Sequence, residues 1–357
     1  MEDDHGVHEP VSAGQGRLRE AVASRLDLAE GYRSNPPMRA VDRQSVAIIG
    51  TGAVGCYYGA RLAEAGHDVR FLMQRGYDAV RANGLRVASH LGDIHLPTPT
   101  LARSAEELAA LGAPDWLLVA LKSCDLDQLA PLAGPLVTAE TRILAIVDGI
   151  GIEDDIVDIL RRYRVFGGLG FIGVGLPTPG NVLHREFGAL EIGHRDDDGE
   201  ALEDALALWE PTVVGVRPAG CLVRARWVKM LWDVPFNGLS VVAGGANAET
   251  IIETPALGAF ARNLMAEIAR IANADLASRG MPPIEDPDAA CERAMRLMGT
   301  TEHYIPPAGV DFVRRRPLEA EAMFERPAAR AAQLGIDAPL TAFLAALIHR
   351  LNPVSMI

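Results

Sequence analysis

One lysine stands among apolar and aromatic residues in the run Arg226-Trp227-Val228-Lys229-Met230-Leu231-Trp232-Asp233-Val234-Pro235-Phe236-Asn237-Gly238. Lys229, Asp233 and Asn237 are spaced i, i+4 and i+8, which places them on one side of a helix. An ammonium in such a stretch is costly to bury unless it has partners and a purpose. An intrahelical Lys229–Asp233 ion pair is the plain alternative to a chemical role. Pro235 removes a backbone donor and clashes with the carbonyl of Leu231, so the face is expected to kink between Asp233 and Asn237.

A second cluster binds rather than reacts. Gly50-Thr51-Gly52-Ala53-Val54-Gly55 follows the apolar run Val46–Ile49 and opens a helix-compatible stretch. In this G-x-G-x-x-G pattern the first glycine permits a tight turn and the second admits a pyrophosphate. The third lets helix and strand pack closely. The helix N-terminus offers unpaired N–H groups to the phosphates. At the end of the next strand, Phe71-Leu72-Met73-Gln74-Arg75-Gly76 carries no carboxylate where an NAD-binding chain would receive the ribose 2′-hydroxyl. Gln74 and Arg75 stand there instead. An arginine can grip a 2′-phosphate, which favours NADP(H).

The elements that must position these residues alternate from Ser45 onward. Val46–Ile49 reads as the first strand, Ala53–Ala65 as the first helix and Val69–Met73 as the second strand. Trp116–Leu121, Arg142–Val147 and Val165–Val174 are further strands, and Ala189–Gly193 is a candidate antiparallel one. Continuous apolar strands separated by helices imply a parallel sheet covered on both faces. From Glu200 the texture is mostly helical. The expected fold is α/β, a Rossmann-type dinucleotide-binding domain over residues 45–214 followed by an all-helical domain over 215–357. Residues 1–44 form an extension, read as either a mobile arm or a docking helix over Arg17–Tyr32. The helical domain is the candidate substrate and homodimer surface.

Bulk properties exclude several classes. With 357 residues the chain has room for two cores. A net charge of -13 argues against nucleic acid as a partner. Arg314-Arg315-Arg316 reads as a solvated face. The four cysteines lack metal-ligand spacing, so no metal site is expected. No apolar run reaches the roughly 18–20 residues of a membrane span, and Met1-Glu2-Asp3-Asp4-His5 is acidic where a signal peptide is basic. A cytoplasmic protein with a small-molecule substrate is the expectation.

Taken together, Gly50–Gly55, Val119-Ala120-Leu121-Lys122, Asp148-Gly149, Lys229 to Asn237 and Arg316-Pro317-Leu318-Glu319-Ala320-Glu321 resemble the ketopantoate reductase (2-dehydropantoate 2-reductase) family. The likeness runs from about Ser45 to Leu351. It implies hydride transfer from NADPH to a 2-keto acid in a cleft between the two domains. By the same resemblance Lys229 protonates the carbonyl oxygen, Glu319 positions the lysine and the substrate hydroxyl, Lys122 lies near the cofactor and Asn237 holds the substrate.

Three departures bear on the substrate. Asp148 and Asp233 stand where the family has asparagines, and Pro307 stands where a serine would bind the substrate carboxylate. Two amide donors become acceptor-only carboxylates when ionised, and a hydroxyl donor is lost. Like charges about 4 Å apart cost on the order of 4 kcal/mol at an effective dielectric of about 20 unless the carboxylates are protonated or paired, as in a salt bridge with Lys122 or Lys229. Three readings follow. The chain reduces a ketone or imine other than ketopantoate; it is an ordinary 2-dehydropantoate 2-reductase with an adjusted pocket; or it catalyses a non-redox acid–base step with Asp148, Asp233 and Lys229.

Overall fold

The computed structural model describes residues 42–299 and 303–353, so the Arg17–Tyr32 helix expected from sequence lies outside the described residues. Ten strands form one sheet. They are β1 (Ser45–Ile49), β2 (Asp68–Leu72), β3 (Leu85–Ser89), β4 (Ile94–Leu96), β5 (Thr100–Ala102), β6 (Trp116–Val119), β7 (Arg142–Ala145), β8 (Val165–Thr178), β9 (Asn181–His194) and β10 (Val216–Pro218). Their order is β4-β3-β9-β8-β7-β6-β1-β2-β5, with β10 beside β9. β1 pairs in parallel with both β2 and β6, and β8 with β9 is antiparallel.

Alternation along β1 sends side chains to two cores. Val46 and Ile48 join one, with Tyr57, Tyr58 and Leu62 of the Ala53–Glu64 helix. Ala47 and Ile49 join the other, with Ile152 and Ile156 of the Ile152–Leu160 helix. Both faces of the sheet are thereby covered, as apolar parallel strands require. Ile49 lies opposite Val119, and Val119 opposite Ala145. The chain therefore leaves β1, β6 and β7 at one edge, where Gly50, Lys122 and Asp148 follow. The crevice between β1 and β6, where strand order reverses, is where open α/β sheets bind ligands.

Three features differ from the sequence expectation. β3, β4 and β5 were hidden because two of them span three residues each, too short to show a period. β10 extends the sheet to Pro218, past residue 214; every described element from Leu222 onward is helical. In place of a kink at Pro235, the helix Leu222–Trp232 widens into a π turn over Asp233–Asn237 and continues as Gly238–Val242. A π turn relieves the proline's missing donor and ring clash without ending the helix. A second π turn spans Glu321–Glu325.

Candidate active site

The glycine loop has the shape of a pyrophosphate cradle. Gly50 has φ +92°, and a Cβ on it would come within 2.4 Å of the Ala120 carbonyl carbon. A Cβ on Gly55 would lie 2.2 Å from the Gly50 carbonyl oxygen, so helix and strand touch there. Gly52 has nothing within 4 Å of its Cβ position, which leaves its backbone open to a ligand. Gly52 also caps the Ala53–Glu64 helix with no side chain on the first N–H groups. Thr51 ties the loop to β2, its Oγ1 donating to the Leu72 carbonyl at 3.1 Å. Ala53 and Val54 form the first turn. Gln74 and Arg75 are exposed just beyond β2, and Arg75 has no ion-pair partner among the described residues. These groups fit a 2′-phosphorylated dinucleotide.

The sheet edge and the helical domain meet at Lys229. Its Nζ donates to Asp148 Oδ1 at 2.8 Å and to Asp233 Oδ2 at 2.6 Å. The Lys229–Asp233 pair expected along the helix is present, and Asp148 reaches it across 81 residues of chain. Burial works against the Lys229 charge, but the two carboxylates outweigh it and push its pKa up. The ammonium is therefore held charged rather than neutralised. Asp233 moves up to about 6, because burial costs its charge more than Lys229 returns.

Two further contacts fix the Asp148 loop. Arg226, one turn before Lys229, donates to the Val147 carbonyl and to Glu153. Gly149 has φ +110°, and a Cβ on it would lie 2.5 Å from the Ala322 Cβ. The Ile150 N–H donates to the Ala322 carbonyl at 3.1 Å. The loop is thus clamped between the Leu222–Trp232 helix and the second π turn.

Among the described residues Glu319 makes no hydrogen bond or ion pair with Lys229. Its Oε1 accepts the Ser123 N–H at 2.7 Å, and the carboxylates on the lysine are Asp148 and Asp233. Loss of solvent, then the charge of Asp148, pushes Glu319 up to about 7. Lys122 donates to Asp311 on the Pro307–Val313 helix. Asn237 donates to the Asp233 carbonyl at 3.0 Å and accepts the Ala308 N–H at 3.0 Å, so its amide braces the site. Pro307 is the exposed first residue of its helix.

Sequence reasoning did not single out Phe171, Phe187, Trp232 and Tyr304, which gather beside Asp233. Phe171 lies 4.6 Å from Phe187, 5.9 Å from Trp232 and 6.4 Å from Tyr304 between ring centroids. Register shifts between β8 and β9 set this geometry, and no short sequence pattern announces a bulge.

A glycine cradle at the sheet's switch point, with a helical-domain lysine bonded to Asp148 beyond β7, fits a dinucleotide-dependent oxidoreductase of two domains. Comparison with known proteins narrows the class. The family model described as "Ketopantoate reductase PanE/ApbA" matches residues 46–197, and "Ketopantoate reductase PanE/ApbA C terminal" matches 222–352. The crystal structure of 2-dehydropantoate 2-reductase from Geobacter metallireducens is 32% identical with a TM-score of 0.80, covering 86% of this chain and 99% of its own. The 2-dehydropantoate 2-reductase of a Nostoc species is 28% identical over 305 residues, 84% of this chain and 92% of that one. A dimeric ketopantoate reductase from Staphylococcus aureus shares the fold, with 18% identity, a TM-score of 0.71 and coverage of 87% and 99%. The chain belongs to the ketopantoate reductase family. It is an NADP-dependent oxidoreductase acting on a ketone or CH–OH group.

Proposed function

We propose that this enzyme reduces a ketone or imine that carries no carboxylate at the position ketopantoate would use. The observation that supports this most is that both lysines of the cleft are already paired. Asp148 and Asp233 hold Lys229, and Asp311 holds Lys122. A 2-keto carboxylate entering here meets acceptor oxygens and no free ammonium, and two carboxylates sharing one ammonium leave one net negative charge against it. A neutral or cationic substrate meets no such repulsion, and a donor group on it can hydrogen-bond to Asp148.

Gly50 to Gly55, Gln74 and Arg75 hold the dinucleotide, with Lys122, Asp148 and Gly149 at the neighbouring strand ends. When bound in its reduced form it supplies a hydride to the substrate carbon. The chain's own task is the proton. Lys229 Nζ, held as an ammonium, stabilises negative charge gathering on the carbonyl oxygen and transfers a proton to it, so that ketone becomes alcohol. Asp148 and Asp233 then stand beside the neutral amine and aid its reprotonation from solvent. Glu319, titrating near neutrality, serves as the reserve of that proton at the Ser123 end of the cleft.

The four cysteines are unbridged, which supports a reducing cytoplasmic setting. Among the described residues no helix is long and apolar enough to cross a membrane. A homodimer through the helical domain is supported by the likeness to the dimeric ketopantoate reductase from Staphylococcus aureus.

The test is NADPH oxidation by the full chain with ketopantoate beside neutral and amine-bearing ketones. Turnover confined to the non-carboxylate compounds supports the reading. Preference for ketopantoate overturns it in favour of ordinary 2-dehydropantoate 2-reductase, and binding of NADPH with no turnover of any bound carbonyl favours the acid–base alternative.

A further inference from the structure

Aromatic residues are scarce in this chain, at 5%, yet four of them meet beside Lys229. Phe171 of β8 is the hub, touching Phe187 of β9, Trp232 of the lysine's helix and Tyr304. Elsewhere the aromatic side chains that build the cores are sealed: Tyr57, Tyr58, Trp209, Trp227 and Phe236 are at most 1% exposed. These four are half-buried, each keeping part of its surface accessible. Their arrangement has a structural cost. Phe187 sits at φ +60°, which non-glycine residues rarely adopt, and Gly188 follows at φ +106°. The β8–β9 register slips between Gly170 and Ile172 at the same place. Strained backbone and bulges of this kind persist where they aim a side chain at a site.

The wall carries two polar groups. Trp232 Nε1 is buried with no hydrogen-bond partner among the described residues. The Tyr304 hydroxyl feels Asp233, Lys229, Asp148 and Glu186; burial first, then the Asp233 charge, pushes its pKa up, so it stays a neutral donor. Trp232 is the immediate neighbour of Asp233. The rings are therefore continuous with the proton-delivery group rather than a separate patch.

We infer that Phe171, Phe187, Trp232 and Tyr304 form the subsite for the non-reacting part of the substrate, and that this part is an aryl or similarly flat apolar group bonded to the carbonyl or imine carbon. The inference rests on the reductase reading above and names the substrate class within it. At these spacings the four rings touch one another, so a substrate ring would lie in stacked or edge-to-face contact on the surfaces they leave exposed. A polar substituent on that ring would accept from the Tyr304 hydroxyl. A small branched aliphatic group would leave much of the wall wet.

The test compares acetophenone with acetone as substrates for the NADPH-loaded full chain, in the native protein and in Phe171→Ala, Phe171→Tyr and Tyr304→Leu. The expected result is a kcat/KM ratio favouring acetophenone that falls about tenfold or more in Phe171→Ala. The ratio returns toward the native value in Phe171→Tyr, which keeps a ring. Tyr304→Leu repeats the reading from the far side of the cluster if Phe171→Ala does not fold. Ratios within twofold of native in folded Phe171→Ala or Tyr304→Leu overturn the inference. Should no ketone be reduced at all, the reductase reading fails by itself. Saturation-transfer NMR of acetophenone on the protein loaded with NADP+ then decides the subsite. A signal lost in Phe171→Ala supports it, and no signal in the native protein overturns it.

Discussion

At the residue scale, the centre of the site is one ammonium shared by two carboxylates. Lys229 is 5% exposed and Asp233 6%, so neither tolerates losing its partner cheaply. Lys229→Met removes the proposed proton donor. Turnover should fall about 10²- to 10⁴-fold while NADPH affinity, read by fluorescence titration, holds. A comparable loss of cofactor binding would place the lysine in the wrong role. Glu319 gives a pH prediction. Its folded pKa of about 7 lies above its ordinary 4.5. The stability it contributes is present below about pH 4.5 and lost as pH rises through 7, on the order of 3 kcal/mol over that window. Glu319→Gln keeps the Ser123 acceptor but cannot titrate. Urea unfolding at pH 5 and pH 8 should show that pH dependence reduced in the variant; an unchanged dependence would move its origin elsewhere. Lys229, Asp233 and Asn237 were legible because i, i+4, i+8 spacing survives on a helix. That Asn237 braces Asp233 and Ala308 was not, since the Ala308 contact joins residues 71 apart.

At the element scale, position comes from three junctions. Strand ends bring Gly50, Lys122 and Asp148 to one edge, and the repeated apolar strands made that readable. The π turn at Asp233–Asn237 was half readable: Pro235 announced trouble, but whether a helix kinks or widens depends on what packs around it. The clamp on the Asp148 loop was not readable, because Gly149 meets Ala322, far away in sequence. Gly149→Ala places a methyl against Ala322 at a positive φ. It should cost about 2–4 kcal/mol, measured as a shift in urea midpoint, and should lower turnover by displacing Asp148. A variant as stable and active as the native enzyme would show that the clamp is not needed.

At the scale of the whole molecule, two domains divide the labour. The sheet carries the proposed cofactor end, and the helices carry the lysine, the π turns and most of the proposed substrate end. The fold class was visible from sequence because strand and helix periods alternate and then change. Three substitutions at the proposed substrate end were visible from sequence, and helical spacing offered Lys229 as the partner of Asp233; that Asp148 also reaches Lys229 is disclosed only by the structure. For the homodimer proposed above, light scattering on the purified chain at about 10 µM should give twice the 38.2 kDa of one chain. A monomer mass at that concentration would remove the helical domain as a subunit interface.

The central claim is that the carboxylates of Asp148 and Asp233 exclude a 2-keto carboxylate. It is tested most directly by the ratio of kcat/KM for ketopantoate to that for a neutral ketone of similar size, in the native chain and in Asp148→Asn/Asp233→Asn. The account predicts a native ratio below one that rises at least about 100-fold in the double variant, the equivalent of removing roughly 3 kcal/mol of repulsion. A native ratio well above one that the double variant leaves unchanged would contradict it.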